Sequence, residues 1–238
     1  ALSTKDQRYS FDTISLISGK TDTGKFLRLR SDVLSAALTG NYLLTQLGAV
    51  FRQSINPYYS LGPATAAKDT LQDYDFRFNA YVVNGPLLKM LVPSLDRIEP
   101  VKMDGHFTSE KGWQTSLDAP LIVMGTNQIR KLKMQAGTTG NEIKFRTDVE
   151  RFSTGPATNI YATSLTADIK DNKINFLVNV KDINNKNKYR FGGLFEQPRQ
   201  AIYALKLYPD SLMLNYDKWS IANDNIIRLN NGDVNVSN

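Results

Sequence analysis

The feature that most constrains this chain is a two-residue alternation of apolar and polar side chains, repeated in segment after segment. In YDFRFNAYV, Phe76, Phe78 and Val82 fall on one side of an extended strand, and Asp75 and Arg77 fall on the other. Successive side chains of a strand point to opposite faces, so a period of two gives one apolar and one polar face. The pattern therefore predicts a mainly β protein built from amphipathic strands.

The same period returns in three later segments, EIKFRTDV, KINFLVNV and DSLMLNY. Clusters of turn-forming residues such as QAGTTGNE, KDNK and NNKNK lie between them, which predicts strands of about 6 to 10 residues joined by hairpins. We expect an elongated, antiparallel-rich sheet with one apolar face. The candidate binding residues on that face are Phe76, Phe78, Ile143, Phe145, Ile174, Phe176, Val178, Leu212 and Leu214.

Two segments depart from the strand pattern and predict short amphipathic helices. In TQLGAVFRQSINPYY, Thr45 is a candidate N-cap, the apolar residues follow one helical face, and Asn56-Pro57 would end the helix. In GPLLKMLVPSL, Pro86 suits the first helical position and Pro93 would stop the helix. Each helix either covers one end of the sheet core or gates a ligand groove, and the sequence leaves both interpretations open.

Length and composition limit the organisation of the chain. Its 238 residues, 41% of them hydrophobic, suit one elongated β unit over residues 1–238, with a possible subdivision near residue 100. Both ends have the character of a segment taken from a longer protein. Cysteine is absent, which excludes disulfides, thiolate metal sites and a thiol nucleophile. No apolar run approaches the roughly 20 residues of a membrane-spanning helix.

The net charge of +6 raises the question of nucleic acid as a partner. The cations are interleaved with other residues, as in IRKLKM (Ile129 to Met134), where the spacing is that of a solvated strand face. The asparagine-rich run KDINNKNKYR predicts a hairpin loop instead of a basic stripe. We therefore expect no nucleic acid partner, and at most a mild attraction to anionic lipid head groups.

Residues suited to catalysis are scarce. His106 is the sole histidine, and its place in DGHFT favours a strand-face side chain that satisfies its own hydrogen bonds. No nucleophile, phosphate-binding, zinc-protease or calcium-loop motif is present. Carboxylates such as Glu110, Asp118 and Glu142 lie in strand and turn contexts where solvated charges are normal. We expect no enzymatic activity and no cofactor, and keep as an alternative a hydrolase acting on glycans or lipids, with carboxylates converging near His106 or a buried activated serine.

The two tryptophans, Trp113 and Trp219, lie in similar neighbourhoods, KGWQTSL and DKWSIAN, just after turns. A tryptophan at such a position anchors the core or lies at a rim or bilayer interface.

Several segments together resemble a known family. These are LRLRSDVLSAALTGNYLLTQLGAVFRQSINPYYS (Leu27 to Ser60), YDFRFNA, the spaced pattern LVPSL..I......MDGHF, and the C-terminal LYPDSLMLNYDKWSIANDNIIRLNNGDVNVSN. An apolar-x-Ser-Asp-x-apolar pattern precedes Leu-Thr-Gly-x-Tyr, and Trp219 is followed by Asn225-Ile226. The chain is similar to the long TamB proteins of the AsmA-like superfamily, in particular their Bacteroidetes-type members, over most of its length.

The resemblance implies a fold, a place and a set of partners. Such family segments form a β-taco, a sheet curled into a half-pipe with an apolar concave face. The resemblance implies a periplasmic segment of a protein anchored in the inner membrane of a Gram-negative bacterium. It also implies a BamA- or TamA-like outer-membrane barrel as partner of the parent protein. The implied role is phospholipid transport between the membranes, assembly of outer-membrane proteins, or both.

Physically, an uncovered apolar face is suited to acyl chains, because each methylene transferred from water gains about 0.8 kcal/mol. About ten buried methylenes would give useful binding after ordering costs. The competing interpretation is that these residues form the closed core of a sandwich or barrel. A further alternative is a structural or chaperone-like module that offers unprotected sheet edges to the strands of outer-membrane proteins.

Overall fold

The structure is a computed structural model that describes residues 2–3, 8–9, 14–60, 71–155, 158–199, 202–230 and 233–237. The two helices are α1 (Leu47–Ile55) and α2 (Pro86–Leu91), and 3-10 turns occur at Leu44–Gln46 and Pro209–Ser211. In chain order the strands are β1 (Leu2–Ser3), β2 (Arg8–Tyr9), β3 (Ser15–Thr21), β4 (Gly24–Arg30), β5 (Leu34–Asn41), β6 (Asp75–Val82), β7 (Arg97–Ile98), β8 (Val101–Thr108), β9 (Gly112–Met124), β10 (Asn127–Thr139), β11 (Glu142–Thr154), β12 (Thr158–Lys170), β13 (Lys173–Lys181), β14 (Asn187–Arg199), β15 (Ile202–Leu207), β16 (Met213–Leu214), β17 (Asp217–Lys218), β18 (Ile226–Asn230) and β19 (Asp233–Ser237).

Almost all the strands belong to one antiparallel sheet. Its order is β3-β4-β5-β6-β8-β9-β10-β11-β12-β13-β14-β15-β18-β19. The short β7 also pairs with β9, and the β16–β17 hairpin attaches through β14. Within the described residues no pairing joins β3 to β19, so the sheet stays open. The predicted mainly β, antiparallel fold with short helices is confirmed.

Five strands are 13 residues long, more than the 6 to 10 predicted. The segment QAGTTGNE accounts for part of the difference: Gln135 to Thr139 belong to β10, and only residues 140–141 turn. Glycine and threonine suggested a loop here. They remain in the strand because Ala136 and Gly137 each have cross-strand partners on both β9 and β11.

The two helices lie where the sequence predicts them, with one difference. Thr45 is not an N-cap, because it lies inside the 3-10 turn that precedes α1, and neither the turn nor the helix has a side-chain cap. Asn56 follows the last residue of α1 as expected. Pro86 occupies the first turn of α2, and the helix ends before Pro93 because the residue preceding a proline avoids the helical conformation.

The regular pairing of the long strands is interrupted along one cross-strand row, which we call the crease. Pro120 of β9, Lys131 of β10 and Ala162 of β12 fall on this row, and none of them has a regular partner in the adjacent long strands. Lys131 and Ala162 have positive φ angles of 47° and 36°, which are unusual for side-chain-bearing residues in strands. A one-residue register shift between β12 and β13 follows directly, between Tyr161 and Ser164. Such irregularities bend a sheet and increase its twist.

Among the described residues, none of the helices has the length and apolar character needed to cross a membrane.

Candidate functional site

One face of the sheet carries most of the predicted binding residues. Directly paired residues of antiparallel strands share a face, so the register can be followed from strand to strand. Phe78 pairs with Gly105, and Gly105 pairs with Thr115. Thr115 in turn pairs with Ala136, which pairs with Phe145. The row continues from Phe145 through Ala167 to Phe176. The same face therefore runs unbroken from β6 to β13, and we call it the apolar face.

Helix α1 covers one end of the apolar face. Beneath it, the Phe107 ring is stacked between Phe76 and Trp113, with centroids 5.4 and 5.7 Å away. Phe51 of the helix meets Phe107 edge-on at 4.9 Å. Phe76 is 1% exposed and Ile143 is 4% exposed, and both belong to the main core cluster with Val50 of the helix. These two predicted binding residues are therefore core residues, and we call this region the covered end.

Hydrogen bonds fasten α1 and the segment after it to the sheet. The Trp113 Nε1–H donates to the carbonyl oxygen of Ser54 over 2.9 Å. In the β12–β13 turn, the Asn172 backbone N–H donates to the Tyr58 carbonyl over 2.9 Å, and the Asn172 side-chain Oδ1 accepts from the Ser60 N–H at 2.7 Å. These contacts hold α1 against the sheet as a cover in this structure, and the gating interpretation stays a prediction.

Further along the strands, no helix within the described part of the chain covers the apolar face. Phe145, Leu165, Phe176 and Val178 are half-buried there, and we call them the open stretch. Phe176 meets Phe191 of β14 edge-on, with ring centroids 6.4 Å apart. Among the described residues, Phe76 is the large side chain that is almost completely excluded from solvent. A closed sandwich of this length would bury many more large apolar side chains.

The structure places the remaining predicted residues in three positions. Phe78 is half-buried and packs against the core cluster at the covered end. Ile174 lies two residues before Phe176 and pairs with Ile169 and Phe195. Leu212 and Leu214 flank Met213, the cross-strand partner of Arg190 on the polar face, so alternation places both leucines on the apolar side beside β14, and Leu214 is 37% exposed.

Several residues of the apolar face were missed by the sequence pattern. Small residues separate them, so that no long run of alternating large apolar side chains marks the strand. In β9, for example, Trp113, Leu117 and Leu121 alternate with threonine and alanine on the same face. The cross-strand partners of the predicted residues reveal them only once the register is known. They include Leu27, Leu38, Phe107, Leu117, Leu132, Val149, Leu165, Phe191, Phe195 and Leu205.

The opposite, polar face holds an open recess of about 800 Å³. Two cross-strand rows of polar residues line most of it. One row runs from Arg77 to Asp168 and the other from Asn79 to Thr166 across the strands β6 to β12. Phe78 and Phe145, which belong to the row between these two, also contribute atoms to the lining of the recess.

Charges on the polar face are largely paired with one another. Lys144 contacts Glu142 at 2.7 Å and Asp168 at 3.1 Å, and these hydrogen bonds raise the pKa of Lys144, that to Glu142 most. Arg146 binds both oxygens of Asp148, at 2.6 and 3.0 Å, and its pKa is raised mainly by that hydrogen bond. Opposed charges alternate here as on a solvated sheet face.

His106 lies on the polar face, and its Nε2 is 2.7 Å from Asp75 Oδ1. The imidazole is thus not alone, as it has a carboxylate partner. No hydrogen bond in the described part of the chain joins it to a serine or threonine, and the Asp75 side chain is 69% exposed. A histidine with one exposed carboxylate lacks the nucleophile of a hydrolytic triad.

The tryptophans have different environments. Trp113 is buried in the core cluster, as the anchoring interpretation expects. Trp219 is 56% exposed beyond the β16–β17 hairpin, where its backbone N–H donates to the Leu212 carbonyl at 3.0 Å. Its place is a rim.

Both outer strands of the sheet expose apolar side chains. Leu16 and Ile17 of β3 and Val234 and Val236 of β19 are each more than half exposed. Edge strands of natural sheets are usually blunted by charges, prolines or a covering element. In β3 the one charged residue is Lys20 near its end, and within the described residues no strand pairs with the outer edge of β3.

Comparison with known proteins yields no family assignment: no protein-family model, curated protein or solved structure matches the chain.

Proposed function

We propose that the open stretch of the apolar face binds the acyl chains of phospholipids. The observation that carries this proposal is the half-burial of Phe145, Leu165, Phe176 and Val178 on a continuous face that helix α1 covers only at one end. An acyl chain laid on this surface would remove apolar area of both partners from water, at about 25 cal/mol per Å². Many small contacts would share the binding energy, and no single residue would dominate it.

In this proposal the chain is a non-enzymatic segment of a TamB-like envelope protein. Its place would be the periplasm, within a parent protein anchored in the inner membrane and partnered by an outer-membrane barrel. The support is the resemblance of the sequence, together with an open antiparallel sheet that has one apolar face. Passage of lipids between the two membranes is the role that such a surface would serve.

The test is native mass spectrometry and lipid analysis of the chain purified from Gram-negative cells without detergent. The variant is Phe145→Ser with Phe176→Ser, two half-buried positions whose loss leaves the covered end intact. We expect phospholipid to accompany the wild-type chain and to fall at least several-fold in the folded variant.

The matched control is Arg146→Ser with Asn175→Ser, the neighbours of the two phenylalanines on the polar face of the same strands. This control should retain lipid. Absence of lipid from the wild-type chain, or equal loss in both variants, would contradict acyl binding at the open stretch. Circular dichroism of each variant verifies that the sheet is intact.

A second candidate function is a structural or chaperone-like module that adds strands of outer-membrane proteins to its edge. The specific observation in its favour is the weakly protected β3, with Leu16 and Ile17 exposed. A Leu16→Lys, Ile17→Pro variant would block pairing at this edge without touching the open stretch. If capture of unfolded outer-membrane strands is lost while lipid binding persists, the edge carries a function of its own.

A further inference from the structure

Two arginines face each other across neighbouring strands at the end of the apolar face away from α1. Arg130 of β10 is the direct cross-strand partner of Arg151 of β11. Two residues closer to the middle of the strands, the same register pairs Leu132 with Val149. The arginines thus continue the apolar row beyond the crease at Lys131. Like charges placed directly opposite each other destabilise a sheet, so this pair requires a compensating interaction.

That compensation is missing among the described residues. None of the ion pairs of the described chain involves Arg130 or Arg151. Arg130 Nε donates to Gln128 Oε1 at 3.0 Å, whereas Arg151 Nε is shielded from solvent without a hydrogen-bond partner. A shielded charged donor left without an acceptor is costly. In contrast, Arg146 on the other face of the same strand is bound by both oxygens of Asp148.

The surroundings of the arginine pair are amphiphilic. Tyr161 of β12 is the cross-strand partner of Arg151 and adds a phenol side chain to the row. Leu121 of β9 is the partner of Arg130 on the other side and is buried. Guanidinium groups bind planar or tetrahedral oxyanions through paired N–H donors. A ligand that provides an acceptor to these arginines and also contacts their neighbours carries an oxyanion next to apolar groups.

We propose that Arg130 and Arg151 bind the oxyanion of an anionic lipid, a phosphate or a carboxylate, whose chains extend along the apolar face to the open stretch. Arg151 lies six positions from Phe145 along β11, which is about 20 Å of extended strand. The anion would remove the repulsion within the arginine pair and provide the acceptor that Arg151 Nε lacks. Binding of the oxyanion stands on the arginines alone, whereas its identity as a lipid head group rests on the proposed function.

The experiment compares four probes by NMR titration of the full chain: inorganic phosphate, glycerol 3-phosphate, and the dihexanoyl forms of phosphatidic acid and phosphatidylcholine. We expect phosphatidic acid to bind most tightly. Arg151→Gln should weaken it about tenfold or more, because a charged hydrogen-bonding partner is lost. Arg151→Lys should recover only part of the affinity, because an ammonium lacks the guanidinium fork. Arg146→Gln is the matched control and should bind like the wild type.

Each outcome separates the two parts of the proposal. If Arg151→Gln and Arg146→Gln bind phosphatidic acid equally, the arginine site is refuted. Equal affinity for phosphate and phosphatidic acid, both lost in Arg151→Gln, supports an oxyanion site and overturns its identity as a lipid head-group site. If Val149→Ser, two residues from Arg151 on the apolar face and within reach of a six-carbon chain, leaves phosphatidic acid binding unchanged while Arg151→Gln abolishes it, the chains do not follow the apolar face and the oxyanion site stands alone.

A measurement without lipid provides independent support. Phosphate added at constant ionic strength should raise the Tm of the wild-type chain more than that of Arg130→Gln with Arg151→Gln, because a ligand of the folded state stabilises it by mass action. An equal rise in both proteins would count against the site.

Discussion

The covered end and the open stretch are built from the same alternating pattern, yet they differ in what lies above them. At the covered end, Phe76 and Phe107 are sealed beneath α1, and the rings of the core stack on one another. In the open stretch, Phe145 and Phe176 have equivalent positions on the same face but remain half-buried. An amphipathic strand therefore specifies only which face is apolar. A separate element decides whether that face becomes core or surface.

The largest expected effect separates the two regions by stability. Phe76→Ala should lower the free energy of unfolding by about 3–5 kcal/mol, since it leaves a cavity within a packed aromatic stack. Phe145→Ala should lower it by less than half as much, because the side chain is half exposed and its neighbours can shift. Urea denaturation monitored by circular dichroism measures both. Equal losses would mean that the open stretch is core in solution.

The next effect concerns the turn that fastens the segment after α1. Asn172→Ala should cost about 2 kcal/mol, because it removes the acceptor of the Ser60 N–H and places alanine at a φ of 60°. Asn172→Gly should cost about half of this, since glycine adopts that φ without strain. The difference between the variants isolates backbone strain from the lost hydrogen bond. If Asn172→Gly is as stable as the wild-type chain, the side chain of Asn172 does not hold the cover.

A smaller effect is expected for the hydrogen bond between the sheet and α1. Trp113→Phe preserves an aromatic ring in the stack but leaves the Ser54 carbonyl without its donor, at a cost of about 1–2 kcal/mol. Amide hydrogen exchange in residues 47–55 should accelerate, and lipid binding at the open stretch should not change. Trp219→Phe is the control, because exposed substitutions usually alter stability by no more than about 0.5 kcal/mol. Unchanged exchange in α1 would show that ring packing alone fixes the helix.

The sequence predicted the covered end and the open stretch as one surface, for a physical reason. Alternation reports the direction of a side chain within its own strand, and it correctly assigned Phe76, Phe145 and Phe176 to strands with an apolar side. Burial depends on long-range packing: in the cluster that includes Val50 of α1, Phe76 and Ile143 are buried and Phe78 is half-buried. No property of a single strand carries that information.

The arginine pair shows a second limit of the sequence pattern. IRKLKM suggested cations on one solvated face, and this holds for Lys131 and Lys133, which pair with Glu150 and Asp118. Arg130 lies one residue away and therefore on the other side, opposite an arginine that is 21 positions distant in the chain. Only the register of β10 and β11 brings the two together. The family resemblance stays a prediction, because the comparisons with known proteins supply no relative against which to align these residues.

The smallest expected effect lies in the β13–β14 turn. The strand β13 carries Phe176 of the open stretch, and β14 carries Phe191, which contacts it. Hydrogen bonds lower the pKa of Asp182, chiefly that from the backbone N–H of Lys186, with the Tyr216 hydroxyl and the Asn184 N–H contributing. A carboxylate with a lowered pKa stabilises the folded turn above the ordinary aspartate pKa of 3.8. That stabilisation is lost as the pH falls through the lowered value. The amide NMR shifts of residues 184 and 186 should therefore titrate below pH 3.8, and Asp182→Asn should abolish the titration. A midpoint at or above 3.8 would show that local hydrogen bonds do not order this turn, and that the open stretch depends on contacts elsewhere in the sheet.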